Sequence, residues 1–141
     1  MRKIIYLLLI LFSLSMFGQT ENFKKDFRVD LLVVEKNTKD TLIGTFTEVY
    51  SGNKRILATC CSDFNGIDIF YVKSQDIVNN IIHMKFYGRG CKPVRKKFKI
   101  KNDLKTIIYL EYGKTEYNTK TEDFNMMFKK LNIKDQGSLD D

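Results

Sequence analysis

The chain has 141 residues, room for one domain, and its 43% hydrophobic and 13% aromatic content is ample for a core. A single proline excludes a Pro-rich disordered chain. The formal charge is +7, and it falls to +5 without Arg2 and Lys3 because residues 1–18 contain no acid, which leaves a moderately basic protein.

Residues 1–18 read as a signal peptide. Arg2 and Lys3 form a positive start, Ile4 to Phe12 is an unbroken apolar run, and Ser13, Ser15, Gly18 and Gln19 follow. The competing reading is a membrane anchor. The apolar stretch Ile4 to Phe17 has 14 residues, two of them serine, against the roughly 20 that a spanning helix needs. Cleavage is therefore expected, and the mature protein is expected to be secreted or periplasmic. No later segment is apolar enough to span a membrane.

Short strands follow in series. Residues 27–36 are rich in β-branched and aliphatic side chains, with Phe27, Val29, Leu31 and Val33 on one face. Residues 37–40 turn into a second strand at 42–50, where Gly44 signals a bulge or a close approach. Strands at 55–62, 67–74, 81–88, 94–101 and 104–112 complete the set, the fifth with Ile82, Met84 and Phe86 on one face. Seven short strands with frequent turns and no intervening helical period predict an all-β fold, a Greek-key-like β-sandwich spanning 23–112. Residues 113–141 read as a polar linker, a short amphipathic helix and a frayed tail. Thr119 and Glu122 stand at capping-box spacing, before Phe124, Met127, Phe128 and Leu131 at helical spacing. That helix either binds a partner or folds back over one end of the sandwich.

The order of these elements resembles the carboxypeptidase regulatory-like family, a transthyretin-like or prealbumin-like seven-stranded sandwich. The resemblance runs from about Phe27 to Leu110. "VDLLVVEKNTKDTLIGTFTEVY" resembles the family's first hairpin, and "TCCSDFNGIDIFYV" its signature Thr-Asp-x-x-Gly turn, with Ser62 in place of Thr. "IIHMKFYGRG" and "LKTIIYLEY" resemble two later strands. The second residue after the signature glycine is usually aromatic, but here it is Asp68, so Ile67, Ile69 and Tyr71 are expected to face inward. Tyr87-Gly88 reverses the usual order of a Gly-aromatic pair. The resemblance implies a binding or structural module without catalytic ligands of its own.

Cys60 and Cys61 are adjacent, and neighbours on a strand point to opposite faces, so they are not expected to hold one metal ion. The only histidine, His83, and the third cysteine, Cys91, are badly spaced for a zinc site. In an exported protein a disulfide between Cys91 and either Cys60 or Cys61 is expected instead, leaving one buried thiol, and the plainer reading is three buried, reduced cysteines acting as small hydrophobes. Asp63-x-Asn65-Gly66-x-Asp68 opens like a calcium loop but lacks the closing glutamate, and it reads as a turn. Neither metal nor cofactor is expected. Serine-hydrolase, zinc-protease and phosphate-loop motifs are missing.

The most distinctive stretch is "RGCKPVRKKFKIK", residues 89–101, which carries seven cations and no acid. On a strand, Arg95, Lys97, Lys99 and Lys101 would line one face at intervals of about 6.6 Å. Val94, Phe98 and Ile100 would line the other, with Lys96 out of place among them. The stripe suits an anionic glycan, lipopolysaccharide or the carboxylates of an envelope protein. Export argues against nucleic acid as the physiological partner. The plainer reading is a solvated face, or lysines guarding an edge strand. The expected function is a non-enzymatic binding or assembly module at the bacterial cell envelope. The competing readings are a small secreted hydrolase using a carboxylate pair, and a secreted toxin or immunity factor.

Overall fold

Seven strands fold into two sheets in a computed structural model that describes residues 25–117 and 121–133. The signal peptide expected at 1–18, Thr119 of the expected capping pair and the tail from 134 lie outside the described residues. The strands are β1 (Asp26–Glu35), β2 (Phe46–Ser51), β3 (Lys54–Cys60), β4 (Ile67–Lys73), β5 (Ile81–Tyr87), β6 (Val94–Lys99) and β7 (Leu104–Leu110), followed by a helix, α1 (Thr121–Leu131). One sheet has the order β4-β1-β7 and the other β3-β2-β5-β6. No helix among the described residues is long and apolar enough to cross a membrane.

Alternation sets which faces meet. Val29, Leu31 and Val33 of β1 and Ile82, Met84 and Phe86 of β5 are buried between the sheets. Every second residue points the same way, so these two strands supply the facing surfaces of the sandwich. β1 pairs antiparallel with β4 and parallel with β7, where Ile108 and Leu110 add to the same core.

The register of β4 corrects one expectation. Leu31 lies opposite Asp68, Val29 opposite Phe70 and Phe27 opposite Val72. Directly paired residues share a face. The inward turn of Val29 and Leu31 therefore carries Asp68, Phe70 and Val72 inward, while Ile69 and Tyr71 are 49% and 59% exposed. Pairing with β1 outweighs the cost of burying one carboxyl group. Ile67, Ile69, Tyr71, Ile107 and Tyr109 consequently form an exposed apolar face on the three-stranded sheet.

The second strand begins at Phe46 rather than at residue 42. Gly44 adopts φ +71°, a left-handed conformation that breaks the extended run. Gly66 closes the β3–β4 connection at φ +74°, and a Cβ there would lie 2.7 Å from the Val33 carbonyl oxygen. Val33 N–H donates to the Gly66 carbonyl at 2.8 Å, so this close approach admits only glycine.

A second cluster lies on the outer side of the four-stranded sheet. Phe46 and Tyr87, paired across β2 and β5, pack with Tyr117, Met127 and Leu131. Phe46 is the hub: its ring centre is 5.1 Å from Tyr117, 5.2 Å from Phe124 and 5.5 Å from Phe128. Helix α1 buries its apolar face over one end of this sheet. Tyr117, in a segment that reads as linker, is only 3% exposed and its hydroxyl donates to the Gly44 carbonyl.

Candidate functional site

Among the described residues β6 is an edge strand, paired only with β5. Its register puts Arg95 opposite Lys85, Lys97 opposite His83 and Lys99 opposite Ile81. Lys96 lies opposite Met84 and Phe98 opposite Ile82, which are buried between the sheets. Arg95, Lys97 and Lys99 therefore share the outer, solvent face. β6 ends at Lys99, and Lys101 is exposed in the bend that follows, after the buried Ile100.

The charge of this stripe is uncompensated. None of Arg95, Lys97, Lys99 and Lys101 has a carboxylate within 4.0 Å among the described residues. The Arg95 guanidinium lies 5.6 Å from the centre of the Tyr50 ring, a cation–π contact that orients it. The neighbouring acids are committed elsewhere. Glu116 accepts from Lys85 at 3.1 Å and from Lys130 at 2.6 Å. Glu48, only 4% exposed, accepts from the Tyr87 hydroxyl and from Arg55 at 2.9 Å. Burial alone would raise the Glu48 carboxyl, but the hydrogen bonds from Tyr87, Arg55 and Tyr50 outweigh it and hold the group below its ordinary range.

Other acids have structural work. Glu35, fully buried, accepts from the backbone N–H of Thr38 at 2.6 Å and of Asn37 at 2.7 Å, and so caps the turn after β1. Those bonds, that from Thr38 foremost, hold its carboxyl below the ordinary range. Asp63 Oδ1 accepts from the N–H groups of Asn65 and Ile67, both at 2.8 Å. Its side chain serves the turn, as the sequence pattern suggests.

The cysteines correct a second expectation. Cys60 is joined to Cys61, and Cys91 is the free thiol. Cys91 belongs to the core between the sheets, in the space beside Gly88 and Leu110. Cys60 and Cys61 border the separate cluster under α1. The core thus holds Cys91 away from both possible partners. Burial pushes its thiol up to about 11, with the Glu35 carboxylate adding to the effect.

A cleft of about 590 Å³ opens between β6 and β7, the facing edges of the two sheets. Lys36, Lys39, Lys92, Lys96, Tyr109 and Glu111 line it, together with Pro93 and Val94. Glu111 accepts from Lys36 and lies 4.0 Å from Lys92. The Lys39 and Lys96 ammonium groups lie 4.8 and 6.0 Å from the centre of the Tyr109 ring. Sequence reasoning missed this grouping because its members come from three separate segments. Its one signal was Lys96, a cation in an otherwise apolar register.

No protein-family model matches the chain, and no curated protein matches it.

Proposed function

We propose that the protein is an exported, non-enzymatic binding or assembly module of the bacterial cell envelope, engaging an anionic partner through the outer face of β6. The observation that carries this reading is the row of Arg95, Lys97 and Lys99, continued by Lys101, whose charges no carboxylate among the described residues compensates. Such a row attracts a glycan, lipopolysaccharide or acidic protein surface by electrostatic steering, so binding is salt-sensitive. The reading includes the signal peptide at 1–18 and a Greek-key-like sandwich with a C-terminal amphipathic helix. It also includes the carboxypeptidase regulatory-like resemblance. Seven strands in sheets of three and four support that resemblance.

The alternative, a hydrolase using two carboxylates, is less well supported. Glu35, Glu48 and Asp63 are each engaged in local hydrogen bonds, and the cleft between β6 and β7 sets one carboxylate among four ammonium groups. Cross-linking in the producing cells, followed by mass spectrometry, tests the proposal with wild type and a Lys97→Glu, Lys99→Glu, Lys101→Glu variant. One envelope partner captured by wild type and lost in the variant is the expected result. Equal capture by both removes the stripe as the contact surface.

A further inference from the structure

Lys96 is the starting point. It occupies a core-facing register position on β6, yet its ammonium reaches across the open edge of the sandwich to Tyr109 on β7. Lys39, from the turn after β1, reaches the same ring and also donates to the Lys36 carbonyl. Two cations, one from the turn after β1 and one from β6 of the other sheet, thus converge on one aromatic side chain. Resting an ammonium on a ring restrains a side chain that is otherwise flexible.

The charge balance in the cleft is specific. Lys36 and Lys92 share Glu111. The four lysines against Glu111 leave the lining at +3, and two of them, Lys39 and Lys96, have no carboxylate within 4.0 Å among the described residues. A carboxylate would neutralise one of them. A phosphomonoester, with a charge of about −1.5 to −2 at neutral pH and three acceptor oxygens, matches both. A volume of about 590 Å³ is far more than a bare phosphate needs and falls in the range of about 300–1,000 Å³ common for small-molecule sites. Pro93, Val94 and Tyr109 offer apolar surface beside the cations.

We infer that the cleft between β6 and β7 is a binding site for a phosphorylated sugar, with the phosphate held by Lys39 and Lys96 and the sugar against Pro93, Val94 and Tyr109. The site is separate from the outer stripe, because Lys96 points to the opposite side of β6 from Arg95 and Lys97. The phosphate chemistry could come from a soluble sugar phosphate or from the phosphorylated sugars of a glycolipid.

Calorimetric titration of the folded, exported protein with glucose 1-phosphate tests the inference. Glucose and inorganic phosphate serve as comparisons. The cleft variant is Lys39→Gln, Lys96→Gln and the stripe variant is Lys97→Gln, Lys99→Gln, each checked for folding by circular dichroism. Glucose 1-phosphate should bind wild type, at least about tenfold more weakly to the cleft variant, and within about twofold of wild type to the stripe variant. Glucose should not bind, and affinity should rise with pH through about 6, as the second phosphate proton leaves. Sedimentation with lipopolysaccharide vesicles, before and after phosphatase treatment, covers the lipid-linked source. Loss of vesicle binding on phosphatase treatment, and in the cleft variant, supports the site even when the soluble sugar phosphate does not bind.

Binding unaffected in the cleft variant overturns the inference. So does an equal loss in both variants, which leaves only general attraction to a basic surface. Inorganic phosphate binding as tightly as the sugar phosphate overturns the sugar component. A stripe variant that loses envelope binding yet keeps the sugar phosphate leaves both proposals standing as distinct sites.

Discussion

The Thr47 hydroxyl on β2 donates to Asp68 Oδ2 on β4 at 3.2 Å, linking the two sheets through the interior of the sandwich. Asp68 is only 5% exposed, and burial pushes its carboxyl up from 3.8 to about 6, with the Thr47 bond opposing part of the rise. The folded protein therefore holds a proton that the unfolded chain releases at lower pH. This contribution to stability is complete below about pH 4 and is lost as pH rises to about 6, a difference of roughly 3 kcal/mol. Asp68→Asn resembles the protonated group and keeps an acceptor for Thr47. It should raise stability at pH 7 by about 1–3 kcal/mol in urea denaturation, and the gain should vanish near pH 4. A loss of stability at pH 7 would contradict this account of Asp68.

Glu48 behaves in the opposite sense. Its carboxyl is held below the ordinary range, so its contribution is present at neutral pH and fades as pH falls. Tyr87→Phe removes the hydroxyl that donates to Glu48 and leaves Arg55 and Tyr50 as its partners. The expected cost is about 1–3 kcal/mol at pH 7, smaller in acid. Chemical denaturation at two pH values checks it, and an unchanged midpoint at pH 7 counts against the network.

Helix α1 should be separable from the sandwich. Met127 is fully buried between the helix and the outer face of the four-stranded sheet, in the cluster centred on Phe46. Met127→Ala should weaken docking by about 2 kcal/mol or more. Hydrogen exchange should then accelerate across Thr121–Leu131 while β1 and β5 stay protected. Uniform acceleration in all strands would mean that the helix is integral to the main core.

Cys91 should be inert in the folded protein. It is fully buried, and its thiol is pushed up to about 11. A thiol reagent should label nothing in the native protein and Cys91 alone after denaturation without reductant. Peptide mapping that links Cys91 to Cys60 or Cys61 would reverse the assignment.

Strand positions were largely legible because alternation is a local signal. The inward sets Val29-Leu31-Val33 and Ile82-Met84-Phe86 follow directly from it. The face of β4 was not legible. Ile67, Ile69 and Tyr71 form the more apolar set, but pairing with β1 decides the register, and pairing is a long-range fact. The cysteine partners were hidden for a similar reason, since sequence parity cannot show that Cys91 lies in a different cluster from the other two. The outer stripe of β6 was visible as a run of cations. The cleft beside it was not, because Lys36, Lys39, Lys92, Lys96 and Tyr109 meet only when the edges of the two sheets face each other.

Charge reversal along β6 should leave the fold intact. Arg95, Lys97 and Lys99 are exposed and make no ion pair among the described residues, so Lys97→Glu, Lys99→Glu, Lys101→Glu should change stability by about 0.5 kcal/mol or less. Thermal denaturation checks this, and a collapse in stability would make the stripe a structural feature.

The most direct test of the central claim is sedimentation of the protein with isolated cell-envelope material over a range of salt concentrations, comparing wild type with that triple variant. The account predicts that wild type binds at low salt and is released as salt rises, while the variant stays in solution throughout. Equal, salt-independent sedimentation of both proteins would contradict it.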